Sequence, residues 1–219
     1  MKRLSLFIIH YSLFIVCATA QIQMRDVFAA MPDSVLPLVT KNNRLDCIDF
    51  IENNMEAKVR NMLDEYVTLE ALTSDYARFR TSAASLMELK LLPMSDSTSV
   101  LCIVTTAQVG EEGTALRLED SHIRFLNSDW SELHALTPFV PADIPIEAFI
   151  CTSSDTAVKA QALRALADFH PWRITLSPDD TTLTFTLQTA QLSKEERQAL
   201  QDNALQPVVL TWNGTVFVR

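Results

Sequence analysis

"YARFRTSAASLMELKLLPMSDSTSVLCIVTTAQV", residues 76–109, decides the fold class. In its first segment Ala77 and Phe79 alternate with Arg78 and Arg80. In its second, Met87, Leu89 and Leu91 alternate with Glu88 and Lys90. A period of two places alternate side chains on opposite faces of a strand. Ser82-Ala83-Ala84 separates the two segments as a turn. "SVLCIVTTAQV" adds a third, more continuously apolar strand. Alternation of this kind predicts an antiparallel sheet with one face on a core and the other, carrying Arg78, Arg80, Glu88 and Lys90, in water.

The same rhythm extends both ways. Upstream, "AKVRNML" and "VTLEAL" read as strands, with Asp64-Glu65 and Thr73-Ser74-Asp75 as turns. Downstream, Glu111-Glu112-Gly113 turns the chain into "TALRLED" and then "SHIRFL". The expectation is a meander of six or seven strands. Ahead of it, "RDVFAAMPDSVLPLVT" holds two short helical patches broken by Pro32 and Pro37. A helix of about ten residues follows, with Asn43 as its N-cap and Asp46 in its first turn. Its apolar stripe is read as Leu45, Ile48, Ile51 and Met55, and Asp46, Asp49 and Glu52 form an acidic, solvated face.

"NSDWSELHALTPFVPADIPIEAFIC" is Pro-rich and irregular, and marks a boundary near residue 150. Beyond it lies a helix with the stripe Val158, Ala162, Ala165, Leu166 and Phe169, stopped by Pro171. Strands "WRITLS" and "TTLTFTLQT" form a hairpin over Pro178-Asp179-Asp180. Ser193 and Glu196 make a capping box, and "PVVLTW" and "TVFVR" pair across Asn213-Gly214. The fold class is therefore α+β: N-terminal helices, an antiparallel β-meander, then a smaller C-terminal helix-plus-antiparallel-strands unit. The organisation is a leader over residues 1–20, a first unit over 21–150 and a second over 151–219, which can pack as one domain with the first.

The leader reading rests on Lys2 and Arg3, an apolar stretch from Leu4 to Val16, and Ala18-Thr19-Ala20 as a small-residue cleavage site. Cleavage after Ala20 leaves 199 of the 219 residues and moves the net charge from −9 to −11, by removing Lys2 and Arg3. The alternative is lipoprotein processing at Cys17, whose neighbours Phe14-Ile15-Val16 lack the small residues such processing favours. Either way the protein is expected to be exported, to the periplasm or cell envelope, with no membrane-spanning segment after cleavage. An acidic chain with no Lys/Arg run is a poor nucleic-acid partner. Cys47, Cys102 and Cys151 are read as buried, reduced thiols.

Chemistry is sparse. Only three glycines are present, so no Gly-rich phosphate loop can form. No histidine pair or Cys-x-x-Cys has metal spacing, and calcium needs roughly six to eight oxygens, which a regular acidic helix does not supply. No cofactor is expected. Ser121 and His122 adjoin on a strand and so face opposite ways. A hydrolase triad would have to be assembled at a distance, from Ser121 or Ser131, His134 or His170, and Asp129 or Asp168. Trp130, in the irregular connection, is the tryptophan placed to meet a ligand, and Arg44 is read as a structural clamp on a carboxylate. The binding candidates are thus Arg44, Asp46, Asp49 and Trp130, facing an unknown protein or glycan partner. The function expected is a non-catalytic binding or interaction module. The alternative is a hydrolase of envelope or dietary polymers with its site between the two halves. Asp-Ser-Val at 33, Asp-Ser-Thr at 96, Asp-Thr-Ala at 155 and Asp-Thr-Thr at 180 match a three-residue O-glycosylation pattern, and turns use the same residues.

"PDSVLPLVTKNNRLDCIDF", "LTSDYARF", "LMELKLLP", "VLCIVTT" and "DSHIRFLNSDW" together resemble the secreted proteins of Bacteroidales grouped as domain of unknown function 3256. The resemblance runs from about residue 27 to 149 and more weakly through the C-terminal hairpin. It implies export in a Gram-negative bacterium and an α+β fold, and carries over no catalytic residue.

Overall fold

A computed structural model describes residues 21–110, 117–133, 138–141, 144–150, 172–190, 192–195, 197 and 205–219. Six strands follow one another in order: β1 (Lys58–Arg60), β2 (Tyr66–Leu72), β3 (Tyr76–Ser82), β4 (Ser85–Pro93), β5 (Ser99–Val109) and β6 (Leu118–Asn127). All pair antiparallel with their sequence neighbours. This is the meander that the alternation requires. "TALRLED" and "SHIRFL" do not separate: residues 118–127 are one strand. "AKVRNML" pairs only over Lys58–Arg60, and residues 61–65 turn back toward β2.

Helices α1 (Met24–Ala29) and α2 (Lys41–Glu52) cover one face of the sheet. Met24, Val27, Phe28, Cys47 and Ile48 bury against Phe79, Met87, Leu89 and Leu101. Phe28 meets Phe79 edge to face, with ring centroids 5.3 Å apart, a favoured aromatic geometry. The segment between Pro32 and Val39 is turn, not helix.

The second face is also covered. Strands β7 (Trp172–Leu176), β8 (Thr182–Leu187), β9 (Val208–Trp212) and β10 (Phe217–Val218) form an antiparallel sheet in the order β10-β9-β8-β7. Its inward residues Ile174, Leu176, Leu183, Phe185, Leu210 and Phe217 share one core with Tyr76, Leu92, Val100, Cys102 and Val104 of the first sheet. A short 3-10 turn, Ile146–Phe149, contributes Ala148 and Phe149 to that core. The expectation of a sheet wet on one face is therefore corrected. The meander is the middle layer of three, and Glu88 and Lys90 are each only 1% exposed. The alternating strands at 172–218 needed a face to cover, and the charged side of β3–β6 is that face.

The helix reading is corrected in register. Thr40 is the N-cap, three residues before Asn43. Thr40 Oγ1 accepts from the Asn43 amide at 3.2 Å, and Asn43 Oδ1 accepts from the Thr40 amide at 3.0 Å, a reciprocal capping box. Asp46 consequently falls beyond the first turn. The buried stripe is Arg44, Cys47 and Ile48, whereas Leu45 and Met55 are exposed. The leader, the helix expected over 152–169, Cys17, Cys151, Glu196 of the second capping box, His134 and His170 lie outside the described residues.

Candidate functional site

Two places concentrate chemistry: the polar seam between the sheets, and the tip of the β1–β2 hairpin.

The seam follows from register. Tyr76, Arg78 and Arg80 of β3 lie opposite Lys90, Glu88 and Leu86 of β4, and the same face continues through Thr106 and Gln108 of β5 to Ser121 and Glu119 of β6. Tyr76 Oη donates to Glu88 Oε1 at 2.8 Å, with Arg78 Nη1 3.9 Å from the same oxygen. Glu88 Oε2 is buried without a hydrogen-bond partner. Burial raises the Glu88 carboxyl above its usual 4.5, against the opposing Tyr76 bond and the charges of Arg78 and Arg173. Burial, reinforced by Glu88, likewise pushes the Tyr76 phenol up. Burial alone would raise Glu70 too, but bonds from Arg78 Nε at 2.7 Å and Arg80 Nε at 2.6 Å outweigh it and hold that carboxyl low.

Polar ties cross from sheet to sheet along this seam. Lys90 Nζ pairs with Asp75 Oδ2 at 2.9 Å and donates to the Pro178 carbonyl at 3.2 Å, just past β7. Arg173 Nη1 of β7 reaches Glu119 Oε2 at 3.1 Å, while Arg117 and Gln108 hold Glu119 Oε1 at 2.9 and 3.0 Å. The Ile174 amide donates to Ser121 Oγ at 2.9 Å, and Ser121 also shares a hydrogen bond with Thr106. Ser121 is thus committed to backbone and hydroxyl partners, and His122 points to solvent from the opposite face. The expectation that these charges are solvated is overturned for Glu88 and Lys90, while Arg78 and Arg80 stay half-buried. They converge, and what they converge on is one another and the second sheet. Among the described residues no group of three or more His, Cys, Asp or Glu has metal-holding geometry.

The residues singled out in sequence fall elsewhere. Arg44 is 1% exposed. Its Nη1 donates to the Val39 carbonyl at 2.7 Å and lies 3.0 Å from Asp33 Oδ1, and its Nη2 donates to the Met31 carbonyl. The guanidinium therefore closes the loop that leads into α2. Asp46 and Asp49 are exposed on the outer side of α2, with Asn53 Nδ2 donating to the Asp49 carbonyl at 2.8 Å. Glu52 leaves that acidic face and pairs with Arg25 of α1 at 2.6 Å. Trp130 is buried, with Nε1 donating to the Val27 carbonyl of α1 at 2.8 Å. It is a wall of the helix-side core, so its ring offers no stacking face to a ligand. The structure does not bring these four residues into one site.

The hairpin tip is what sequence reading passed over. Met62 and Leu63 are 67% and 62% exposed, and Leu38 and Tyr66 are exposed beside them. Leu38 adjoins the tip because the Met62 amide donates to its carbonyl at 3.0 Å. The turn is held firmly. The buried Asn61 side chain accepts from the amides of Leu63 and Glu65 at 2.9 and 3.1 Å, and Arg60 pairs with Asp64 at 2.7 Å. Next to it, Leu36, Pro37, Leu38 and Val39 with Thr81 and Ser82 line a mainly apolar recess of about 200 Å³. A larger cleft of about 700 Å³, lined by Gln21, Pro93, Ser97, Asn127 and Asp129 among others, lies at the far end of β4–β6. The signal for the tip was present in "NMLDE": two large apolar residues inside a turn, where polar ones are the rule.

Fold and site thus describe an α+β scaffold of three layers whose inner charges are spent on assembly. The model of the family "Protein of unknown function (DUF3256)" matches residues 16–217, and the chain belongs to that family. A solved structure, that of a domain of an uncharacterized protein from Porphyromonas gingivalis W83, is similar at 28% identity and a TM-score of 0.67. The match covers 90% of this chain and 98% of that one. No curated protein matches. Among the described residues no helix is long and apolar enough to cross a membrane.

Proposed function

We propose that this protein is an exported, envelope-associated interaction module that meets a protein partner through the β1–β2 hairpin tip. The observation that carries the reading is the exposure of Met62 and Leu63 on a turn fixed by Asn61 and Arg60. Large apolar side chains presented on a rigid support cost solvation in isolation and gain it back on contact, which is how recognition patches are built. Among the described residues, four of the ten exposed large apolar side chains, Leu38, Met62, Leu63 and Tyr66, lie at or beside this tip. Export rests on the leader-like residues 1–20. The glycan alternative loses Trp130, its aromatic platform, to the core. The hydrolase alternative leaned on His134 or His170, and Ser121 is already engaged within the seam.

A photo-crosslinking amino acid placed at position 63, with position 215 as an exposed control, tests this in intact producing cells. The expected result is a discrete adduct from position 63 only, recovered in the periplasmic or envelope fraction, on a chain whose mature mass begins at Gln21. Equal adducts from both positions, no adduct from position 63, or retention of the full-length chain in the cytoplasm overturns the reading.

A further inference from the structure

The tip and the recess beside it suit each other. The tip offers one methionine and one leucine side chain, and the recess of about 200 Å³ is lined by apolar Leu36, Pro37, Leu38 and Val39. An apolar cavity of roughly 150 Å³ already accommodates a benzene-sized group, so this one takes a single leucine or methionine side chain. The tip cannot fill its own neighbour. The Met62 amide is fastened to the Leu38 carbonyl and the turn is braced by Asn61, so Met62 and Leu63 stand out at 67% and 62% exposure beside an open pocket. A projection and a matching hollow set side by side on one surface are the requirement for a twofold, self-complementary contact: rotating a second copy by half a turn lays each projection over the other's hollow.

Charge points the same way. The chain as a whole carries −9. At the tip, however, Lys58 and Arg60 stand among Glu56, Asp64 and Glu65, an excess of a single acid, and Lys58 and Arg60 both lie over the Tyr66 ring at 4.5 and 4.6 Å. A collar of nearly balanced sign tolerates its own copy, whereas Asp46 and Asp49 on the outer side of α2, which have no cation partner among the described residues, would repel theirs. We therefore infer that the occupant of this face is a second copy of the chain, with Met62 or Leu63 of each protomer seated in the recess formed by residues 36–39 of its partner. This rests on the interaction reading above and names its partner.

Sedimentation equilibrium of the purified protein across a wide concentration range is the test. The wild type is expected to populate a monomer–dimer equilibrium with no larger species. Met62→Asp/Leu63→Asp on the projection, and separately Leu38→Asp at the hollow, are each expected to weaken the dimer at least about 100-fold. The thermal melting midpoint of the monomer should stay unchanged, since all three side chains are exposed. Met62→Leu/Leu63→Met should retain the dimer. A wild type that stays monomeric at every concentration, a dimer indifferent to both sets of variants, or open-ended polymers overturns the inference. A monomer that still crosslinks from position 63 in cells removes the second copy but leaves the interaction reading standing, so the two fail separately.

Discussion

Tyr76 and Glu88 meet across the β3–β4 pair, the phenol donating to Oε1 at 2.8 Å inside a face that the second sheet closes. The relationship sets a pH dependence. Burial holds the Glu88 carboxyl above its ordinary 4.5 despite the facing charges of Arg78 and Arg173. The folded protein therefore binds this proton more tightly than the unfolded chain does. The resulting stabilisation is complete below pH 4.5 and is lost as pH rises through the higher folded value. Glu88→Gln should flatten the decline of Tm as pH is raised from there toward neutrality. Glu88→Ala should cost about 3 kcal/mol, because the buried Tyr76 hydroxyl loses its acceptor and a cavity is left in the seam. An identical Tm–pH slope in wild type and Glu88→Gln would contradict this.

Arg44 shows which half of a clamp matters. Its guanidinium is 1% exposed and bonds two backbone carbonyls, while Asp33 is 65% exposed. Asp33→Asn should cost less than about 1 kcal/mol, the range of an exposed pair. Arg44→Leu should cost about 3 kcal/mol, since the Met31 and Val39 carbonyls are left unpaired. Arg44→Lys should recover only part of that, lacking the planar fork. Urea unfolding measures all three, and equal losses for Asp33→Asn and Arg44→Leu would refute the assignment.

Cys47 and Cys102 are free, buried thiols. Burial pushes Cys47 up to about 11 and Cys102 well above its usual value. A thiol at about 11 in place of 9.0 has a thiolate fraction about 100-fold lower at mildly alkaline pH. Iodoacetamide followed by peptide mass analysis should leave both residues unlabelled in the folded protein and label them promptly in denaturant. Labelling of native Cys47 at the rate of a free thiol would contradict the burial.

Gly214 joins the two sheets' turns. Its φ is +92°, its carbonyl accepts from Ser95 N at 3.0 Å and Ser95 Oγ at 3.1 Å, and an added Cβ would lie 2.9 Å from that Oγ. Gly214→Ala should cost about 1–2 kcal/mol. Ser95→Ala in the same chain should relieve the clash but not the backbone strain, recovering only part of the loss. A neutral Gly214→Ala in chemical denaturation would show the turn to be free to rearrange.

The meander was legible because "YARFRT" and "SLMELKLL" alternate strictly, and strand order then follows from short turns. The three layers were not. A charged residue at every second position reads as solvent, and nothing local in β4 says that Glu88 and Lys90 have partners on β3, before β3 and after β7. The clue lay far off, in "TTLTFTLQT" and "PVVLTW", whose apolar faces required a cover. The α2 start slipped by three because Thr40 and Asn43 are both capping types, and only the reciprocal bond shows which one caps. Arg44 escaped the buried stripe for the same reason as Glu88: its carbonyl partners are not visible in sequence.

The central claim is that the charged side of β3–β6, with Glu88 and Lys90 buried at its centre, is a seam that holds the two sheets together, leaving recognition to the hairpin tip. Native-state hydrogen exchange of strand Ser85–Pro93, hydrogen-bonded on both edges and covered on both faces, tests it most directly. The account predicts that these amides exchange only through global unfolding, with an opening free energy equal to the total stability. Exchange through a local opening of much lower free energy would mean that the second sheet lifts away, and that the charges beneath it form a working cleft.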